Sequence, residues 1–253
     1  IKREYSVKRR TVIENAEEAV YEEKKMEEAE VCFLMDRFGY MRLIDKNAYE
    51  RNKEAAHAEN KFIFTCMNTD KICIFTDMGR MHSIKVADIP LVRFRDKGIP
   101  ADNLSNYDSS QEQILYVAPV GQVKLSTLLF VTKTSMCKLV AGDEFDVSKR
   151  TIASTKLGED DRLIFVGLAD EMEQVVFQSH GGYFLRILKT DISAMKKTSV
   201  GVRGMKLGNG DVLEHAYMVE PRQEYTIQYH DKPYSLNKVK LAKRDTKGTK
   251  PRS

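Results

Sequence analysis

The side chains of this chain best placed to do chemistry are cations set beside turns. Arg37 and Arg42 flank Gly39 in "DRFGYMRL" (36–43), Arg80 follows Gly79, Lys133 and Lys138 surround Ser135, Arg186 and Lys189 follow Gly182, and Lys232 precedes Pro233. A guanidinium or ammonium at a turn is a charged hydrogen-bond donor whose natural partner is a phosphate or carboxylate oxygen. One such cation is ordinary surface and contributes little. The same charge at the same place in successive repeats forms a stripe, and a stripe attracts a polyanion. Two connecting stretches add to it: Arg93, Arg95 and Lys97 in one, Lys196, Lys197, Arg203 and Lys206 in the other.

Covalent chemistry has no comparable support. The sequence contains no GxxxxGK[ST] phosphate loop, no HExxH, no GxSxG and no GxGxxG that opens a helix. Its five histidines (57, 82, 180, 215 and 230) lack metal-ligand spacing, so a lone His82 or His180 at a hairpin is expected to pack or to face solvent. The carboxylates of "EDD" (159–161) read as a solvated turn. No catalytic residue, metal ligand or cofactor is assigned to this chain.

The elements that must carry the cations are hairpins. Five pairs of strand-like runs recur, at 31–44, 71–86, 127–140, 174–188 and 225–241. With Gly39, Gly79, Ser135, Gly182 and Pro233 as equivalent turn positions, the intervals are 40, 56, 47 and 51 residues. Propeller-like folds repeat at about 40–50 residues. Short apolar runs at 61–67, 113–120, 162–169 and 211–219 lie just upstream of the later hairpins. One strand before each hairpin and one after would make four-stranded blades in an all-β toroid, an arrangement that leaves few exposed edges. Residues 15–30, "NAEEAVYEEKKMEEAE", break the pattern and read as a helical or extended linker. Residues 243–253 read as a basic disordered tail.

Bulk properties agree with a binding domain. The chain has 253 residues and a net charge of +4, but residues 181–206 carry +5 and residues 227–253 carry +6, against −2 over residues 1–30. A chain that opens on Ile1 is expected to be cut from something longer. Its N-terminus lacks the apolar stretch of a secretory signal, and no run approaches the roughly 18 apolar residues of a membrane span. Cys32, Cys66, Cys73 and Cys137 have no CxxC spacing and read as reduced core residues of a cytosolic protein.

Four stretches carry a family resemblance. Phe75–Arg80 ("FTDMGR"), "IPLVRFRDKGIPADNL" (89–104) and "SVGVRGMKLGNGDVL" (199–213) resemble, in the family's order, motifs of the C-terminal domain of type IIA topoisomerase A subunits, the bacterial gyrase and topoisomerase IV family, and "KREYSVKRRTVIE" (2–14) resembles the stretch where that family's breakage-reunion domain ends and its linker begins. That resemblance implies a β-pinwheel, which the five hairpins make one of five blades, over residues 30–242, preceded at 1–29 by the end of a cleavage domain and a linker. It also implies a rim that binds and bends duplex DNA for decatenation or relaxation. ATP and Mg2+ would be handled by other domains and by the ATPase B subunit of a cytoplasmic, nucleoid-associated enzyme. Gyrase A subunits carry a Q-R-R-G-G-K-G box after the first hairpin; here that region reads "YERNKEAAHAENKF" (49–62) and has no glycine, which points to the topoisomerase IV side. Every turn and loop cation named above is then a candidate DNA contact. Tyr40 and Tyr183 are expected to pack against a neighbouring blade rather than stack on bases, and "GVRG" (201–204) could be a phosphate nest or a tight turn. A propeller-type protein-interaction scaffold with basic loops is the competing reading.

Overall fold

The computed structural model describes residues 27–251. The linker reading at 15–30 falls mostly outside them, as does the arginine-rich N-terminal motif. The described chain is mostly β, in five antiparallel sheets. The first unit comprises β1 (Glu30–Asp36), β2 (Tyr40–Ile44), α1 (Lys46–Arg51), α2 (Lys53–Glu59) and β3 (Asn60–Met67). The second has β4 (Lys71–Thr76), β5 (Arg80–Lys85), β6 (Ile99–Pro100) and β7 (Ile114–Pro119). The third begins with α3 (Val120–Lys124) and continues through β8 (Thr127–Thr132), β9 (Met136–Ala141), β10 (Thr151–Ala153) and β11 (Leu163–Leu168). The fourth holds β12 (Gln174–Ser179), β13 (Phe184–Leu188), β14 (Val202–Arg203) and β15 (Leu213–Val219). β16 (Thr226–Tyr229) and β17 (Lys232–Ser235) form the fifth.

All five expected hairpins are present, but the fourth strand of each sheet does not come from where the spacing suggested. The apolar run after each hairpin returns to pair with that hairpin's own first strand: β3 with β1, β7 with β4, β11 with β8 and β15 with β12. The outer strand is donated by the following unit. β6 pairs with β2, β10 with β5 and β14 with β9. On the fourth sheet that place is taken by residues 241–249, where Leu241 bridges Arg186 and Thr249 bridges Phe184. The basic tail is therefore no free appendage: up to Thr249 it closes an edge, because β13 otherwise presents unpaired N–H and C=O groups.

Strand alternation decides which side chains meet. Val31, Phe33 and Met35 of β1 face the second sheet together with Ile72 and Ile74, while Cys32 and Leu34 point the other way. Leu128 and Phe130 of β8 join the core shared with the second sheet, and Leu129 and Val131 join the core shared with the fourth. Period-two alternation with both faces apolar is what makes these strands read as unbroken hydrophobic runs. All four cysteines are buried and free, and burial pushes their thiols up to about 11 at Cys32 and about 12 at the others, as expected for inert core thiols.

The first unit departs from the rule. Only residues 45–59 separate β2 from β3, against 86–113, 142–162 and 189–212 in the next three units, and no strand is donated from them. Asp45 caps α1 by accepting from the N–H groups of Asn47 and Ala48. Ala56 of α2 and Tyr49 of α1 then cover Cys32, Leu34 and Ile44, the face of the first sheet that has no preceding sheet beneath it. The glycine-free stretch at 49–62 thus falls mostly within this helical cap.

Candidate nucleic-acid interface

Turn conformation follows residue type closely. Gly39, Gly79 and Gly182 have φ of 83°, 68° and 77°, and Ser135 takes the same left-handed backbone at 70° without being glycine. Ser135 is held there from the neighbouring segment: its Oγ accepts from Met205 N–H at 2.7 Å and its carbonyl accepts from Gly204 N–H at 2.7 Å. The fifth turn differs from expectation. His230 and Asp231 are the residues with positive φ, a two-residue hairpin turn, so Pro233 lies inside β17 opposite Gln228.

Successive turns are tied together at one end of the sheets. The carbonyl of Asp77 in the second turn accepts from Leu163 N–H, where β11 begins, and the carbonyl of Lys133 in the third accepts from Leu213 N–H, where β15 begins. An acid two residues ahead of each of the return strands β7, β11 and β15 braces the turn. Glu112 accepts from Thr76 Oγ1 at 2.6 Å and pairs with Arg80 at 2.9 Å. Asp161 accepts from the Thr134 hydroxyl at 2.5 Å and Asp211 from Gly181 N–H at 2.9 Å. Burial pushes the Glu112 carboxyl up, but hydrogen bonds from Thr76, His82 and Arg80 outweigh it and leave the group below the usual carboxylate range. The sequence reading missed these acids, including Asp161, which it took for a solvated turn. The signal was an Asp or Glu two residues before the apolar return strands β7, β11 and β15.

A family model described as "DNA gyrase C-terminal domain, beta-propeller" matches residues 70–109, 126–170 and 173–220, more than half of the chain. The chain belongs to this family. Gyrase A subunits of Clostridium acetobutylicum and Klebsiella oxytoca are 27% and 28% identical to it over 81% and 78% of the chain. It spans about a quarter of their length, 26% and 24%. Among solved structures, the C-terminal domain of DNA topoisomerase IV superposes with a TM-score of 0.78 at 22% identity, over 88% of this chain and 72% of that one. The E. coli ParC C-terminal domain gives 0.70 at 15% identity, over 88% and 94%. A gyrase A C-terminal domain gives 0.59 at 16% identity, over 87% and 76%.

In this gyrase-type C-terminal domain the fifteen predicted cations divide into three groups. Arg37, Arg93, Arg95, Lys97, Lys133, Lys196, Lys206 and Lys232 are exposed, with no acidic partner among the described residues. Arg80 and Arg203 are exposed but paired, Arg80 with Glu112 and Arg203 with Asp245 at 2.6 Å. The remaining five are turned inward, contrary to their expected place on the rim. Arg42 is buried and its guanidinium lies 5.8 Å from the Phe94 ring centre. Lys138 is buried, Arg186 donates to the Asn237 carbonyl, Lys189 to the carbonyls of Ala169 and Asp170, and Lys197 to that of Glu144. Buried backbone carbonyls need donors, and in a repeat built by strand donation the nearest long donor is the cation on the adjoining edge.

Stacking places one predicted cation and adds two, Lys247 and Lys250, that the sequence did not reveal. Lys97 Nζ lies 4.1 Å from the ring centre of Tyr40. At the corresponding corner of the fourth sheet, Lys247 and Lys250 lie 4.5 and 4.8 Å from that of Tyr183. The match runs through the backbone: Gly98 and Gly248 both have positive φ, and a Cβ on either would sit 2.3–2.4 Å from a hairpin carbonyl, of Met41 and Phe184 respectively. Tyr183 is half-buried against the core between the third and fourth sheets, as expected. "GVRG" is neither nest nor turn: Val202 and Arg203 are β14, paired with β9, and Gly204 N–H is already used by Ser135. Of the histidines, His82 is buried within hydrogen-bond distance of Glu112 and Thr151, and His180 is exposed beside Glu214. No group of side chains suited to hold a metal ion occurs among the described residues. No helix there is long and apolar enough to cross a membrane.

Proposed function

We propose that this domain binds duplex DNA along the turn ends and donated edges of its sheets and bends it, presenting the segment for strand passage by an ATP-dependent type II topoisomerase A subunit. The observation that carries the reading is the repeated corner: lysines stacked on tyrosine at equivalent places of the first and fourth sheets, with Arg37 and Lys133 exposed at turns of the first and third. A lysine on an aromatic face keeps its charge outward at a fixed place, which suits phosphate contact and carries no base information. Bending a 20–30 base-pair segment costs about 1–6 kcal/mol, which several charge-assisted phosphate contacts offset.

The five sheets are read as five blades, beginning at Glu30 and running through Thr249, with residues 1–29 as the end of a cleavage domain and its linker. ATP, Mg2+ and the B subunit belong to the rest of a cytoplasmic enzyme. The helical cap in place of a glycine-rich box supports reading the parent as an enzyme of relaxation and decatenation rather than of negative supercoiling.

A DNA titration against salt tests the binding. With about six phosphates engaged, log K falls with log[salt] at a slope near −5. Salt-insensitive binding, or equal affinity for an acidic protein, would favour the scaffold reading. A plasmid assay on the parent enzyme with its ATPase subunit tests the branch, and robust negative supercoiling would overturn it.

A further inference from the structure

Three hairpins carry a base at one register position, the second pair from the turn: Arg42 opposite Leu34, His82 opposite Ile74 and Lys138 opposite Phe130. All three are buried, at 6%, 0% and 1% exposure. A basic side chain inside a sheet stack is costly unless something engages it. In each case the engaging group includes the segment that the next unit donates across the sheet edge. Lys138 Nζ donates to the carbonyls of Lys196 (3.2 Å), Lys197 (2.8 Å) and Ser199 (2.6 Å), just ahead of β14. His82 Nδ1 lies 3.1 Å from Thr151 Oγ1 in β10, and its other nitrogen 3.2 Å from Glu112. Arg42 lies over Phe94, between Arg93 and Arg95 and ahead of β6. The fourth hairpin has Leu185 at this position, opposite Phe177, so the fold itself accepts an apolar residue there.

We propose that Lys138 is a positioning residue: its ammonium draws three loop carbonyls onto one point and thereby fixes the loop that carries Lys196. The inference rests on the DNA-binding reading and explains why this cation, expected on the rim, faces inward. An ammonium has three donors and the loop offers three carbonyls, a match that neither a leucine nor a surface lysine makes. Glu144 holds the same loop from its other side, accepting from Lys197 N–H at 3.1 Å while its carbonyl accepts from Lys197 Nζ at 2.6 Å. Burial pushes the Lys138 amine down to about 8, with the Glu144 charge acting the other way.

The test is a double-mutant cycle on the whole chain, using a duplex of about 30 base pairs and amide hydrogen exchange. Lys138→Leu should weaken DNA binding by about three- to tenfold and make the salt slope shallower by about one phosphate. Lys196→Ala should weaken it similarly, and the double variant should be little weaker than Lys138→Leu. Amides of residues 196–203 should exchange faster in Lys138→Leu while those of β8 and β12 stay protected. Lys138→Arg, which keeps charge and donors, should retain most of the affinity and also covers the case in which the leucine variant folds poorly. Unchanged affinity and exchange in folded Lys138→Leu, multiplying effects in the double variant, or Lys138→Arg no better than leucine would each overturn the inference. Should the unaltered chain bind no DNA, the proposed function and the DNA role of the loop both fall, and the exchange measurement alone still decides whether Lys138 holds it.

Discussion

The third sheet has four strands and two buried faces, whereas the fifth has two strands and one. Both start from a hairpin, but TLLFVT and MCKLVA of the third are mostly apolar and buried, while TIQY and KPYS of the fifth are short and mostly exposed or half-buried. β8 and β9 receive β11 on one side and β14 on the other, and Phe130 of β8 meets Phe75 and Phe145 edge-on or tilted in the core behind it. β16 and β17 receive no further strand among the described residues, and their apolar face rests on Phe184 through Tyr229 and Tyr234. A hairpin in this chain is thus only the seed of a sheet, and what completes it is supplied by the unit that follows. Pro233 and Lys232 on β17 are the residues that keep an open edge from templating another strand.

The contrast sets a first pair of measurements. Phe130→Ala opens a cavity between two full sheets and should cost about 3–5 kcal/mol in denaturant unfolding. Tyr234→Ala removes a half-buried ring from the two-stranded sheet and should cost less than half as much. Equal losses would show that the fifth sheet is as much part of the core as the third.

Backbone approach sharpens the comparison next. Gly201 precedes β14 with φ of 113°, and a Cβ there would lie 2.7 Å from the Cys137 carbonyl, so Gly201→Ala should cost about 1–3 kcal/mol and loosen the third sheet's outer edge. Gly210 has φ of 73° but open space around it, so Gly210→Ala should cost about 1 kcal/mol or less. Melting curves of the two variants separate collision from conformational preference. If they match, the close packing of the donated strand contributes nothing.

Acid supplies a smaller effect. The bracing acids ahead of the return strands occur in the second to fourth sheets and have no counterpart in the fifth. Glu112 is held below the usual carboxylate range, so the unfolded chain takes up its proton first as pH falls. Its contribution is fully present above the unfolded value near 4.3 and is lost as pH drops through the folded one. Glu112→Gln should remove about 1–3 kcal/mol at neutral pH, because Arg80 and His82 lose an anion, and should flatten the acid limb of the stability profile. An acid limb as steep as before would show that Glu112 is not what titrates.

Hairpins, interval and family were legible because strand alternation and turn glycines are local signals. Strand donation was not, since two-residue strands such as Ile99–Pro100 and Val202–Arg203 carry no periodicity of their own. The helices at 46–59 were hidden for a similar reason: each is under two full turns and owes its place to an apolar sheet face rather than to propensity. For the interface, residue type gave charge but not direction. Lys133 and Lys138 sit five residues apart around one turn; the first is exposed, while the second is enclosed by carbonyls from a segment nearly sixty residues away. Lys247 and Lys250 were discounted because a basic, polar terminus reads as disorder until its edge pairing is seen.

The smallest effect on stability should come from those two lysines, and the largest contrast with it should come in binding. They lie on the segment that follows the fifth hairpin and completes the fourth sheet, so they test whether a unit with little core of its own still serves the interface through what it donates. Their ammonium groups stack on Tyr183 without an acidic partner among the described residues, and exposed cations contribute little to folding. Replacing both with alanine should leave the melting temperature within error while weakening DNA binding several-fold and making the salt slope shallower by about one to two phosphates. The same substitutions measured against Tyr183→Leu separate placement from charge: if stacking fixes the lysines, the tyrosine variant should lose part of the same affinity with the charges still present. A fall in melting temperature as large as that of Gly201→Ala would instead make Lys247 and Lys250 part of the edge that closes β13, and the fourth sheet's corner would no longer count as a station for DNA.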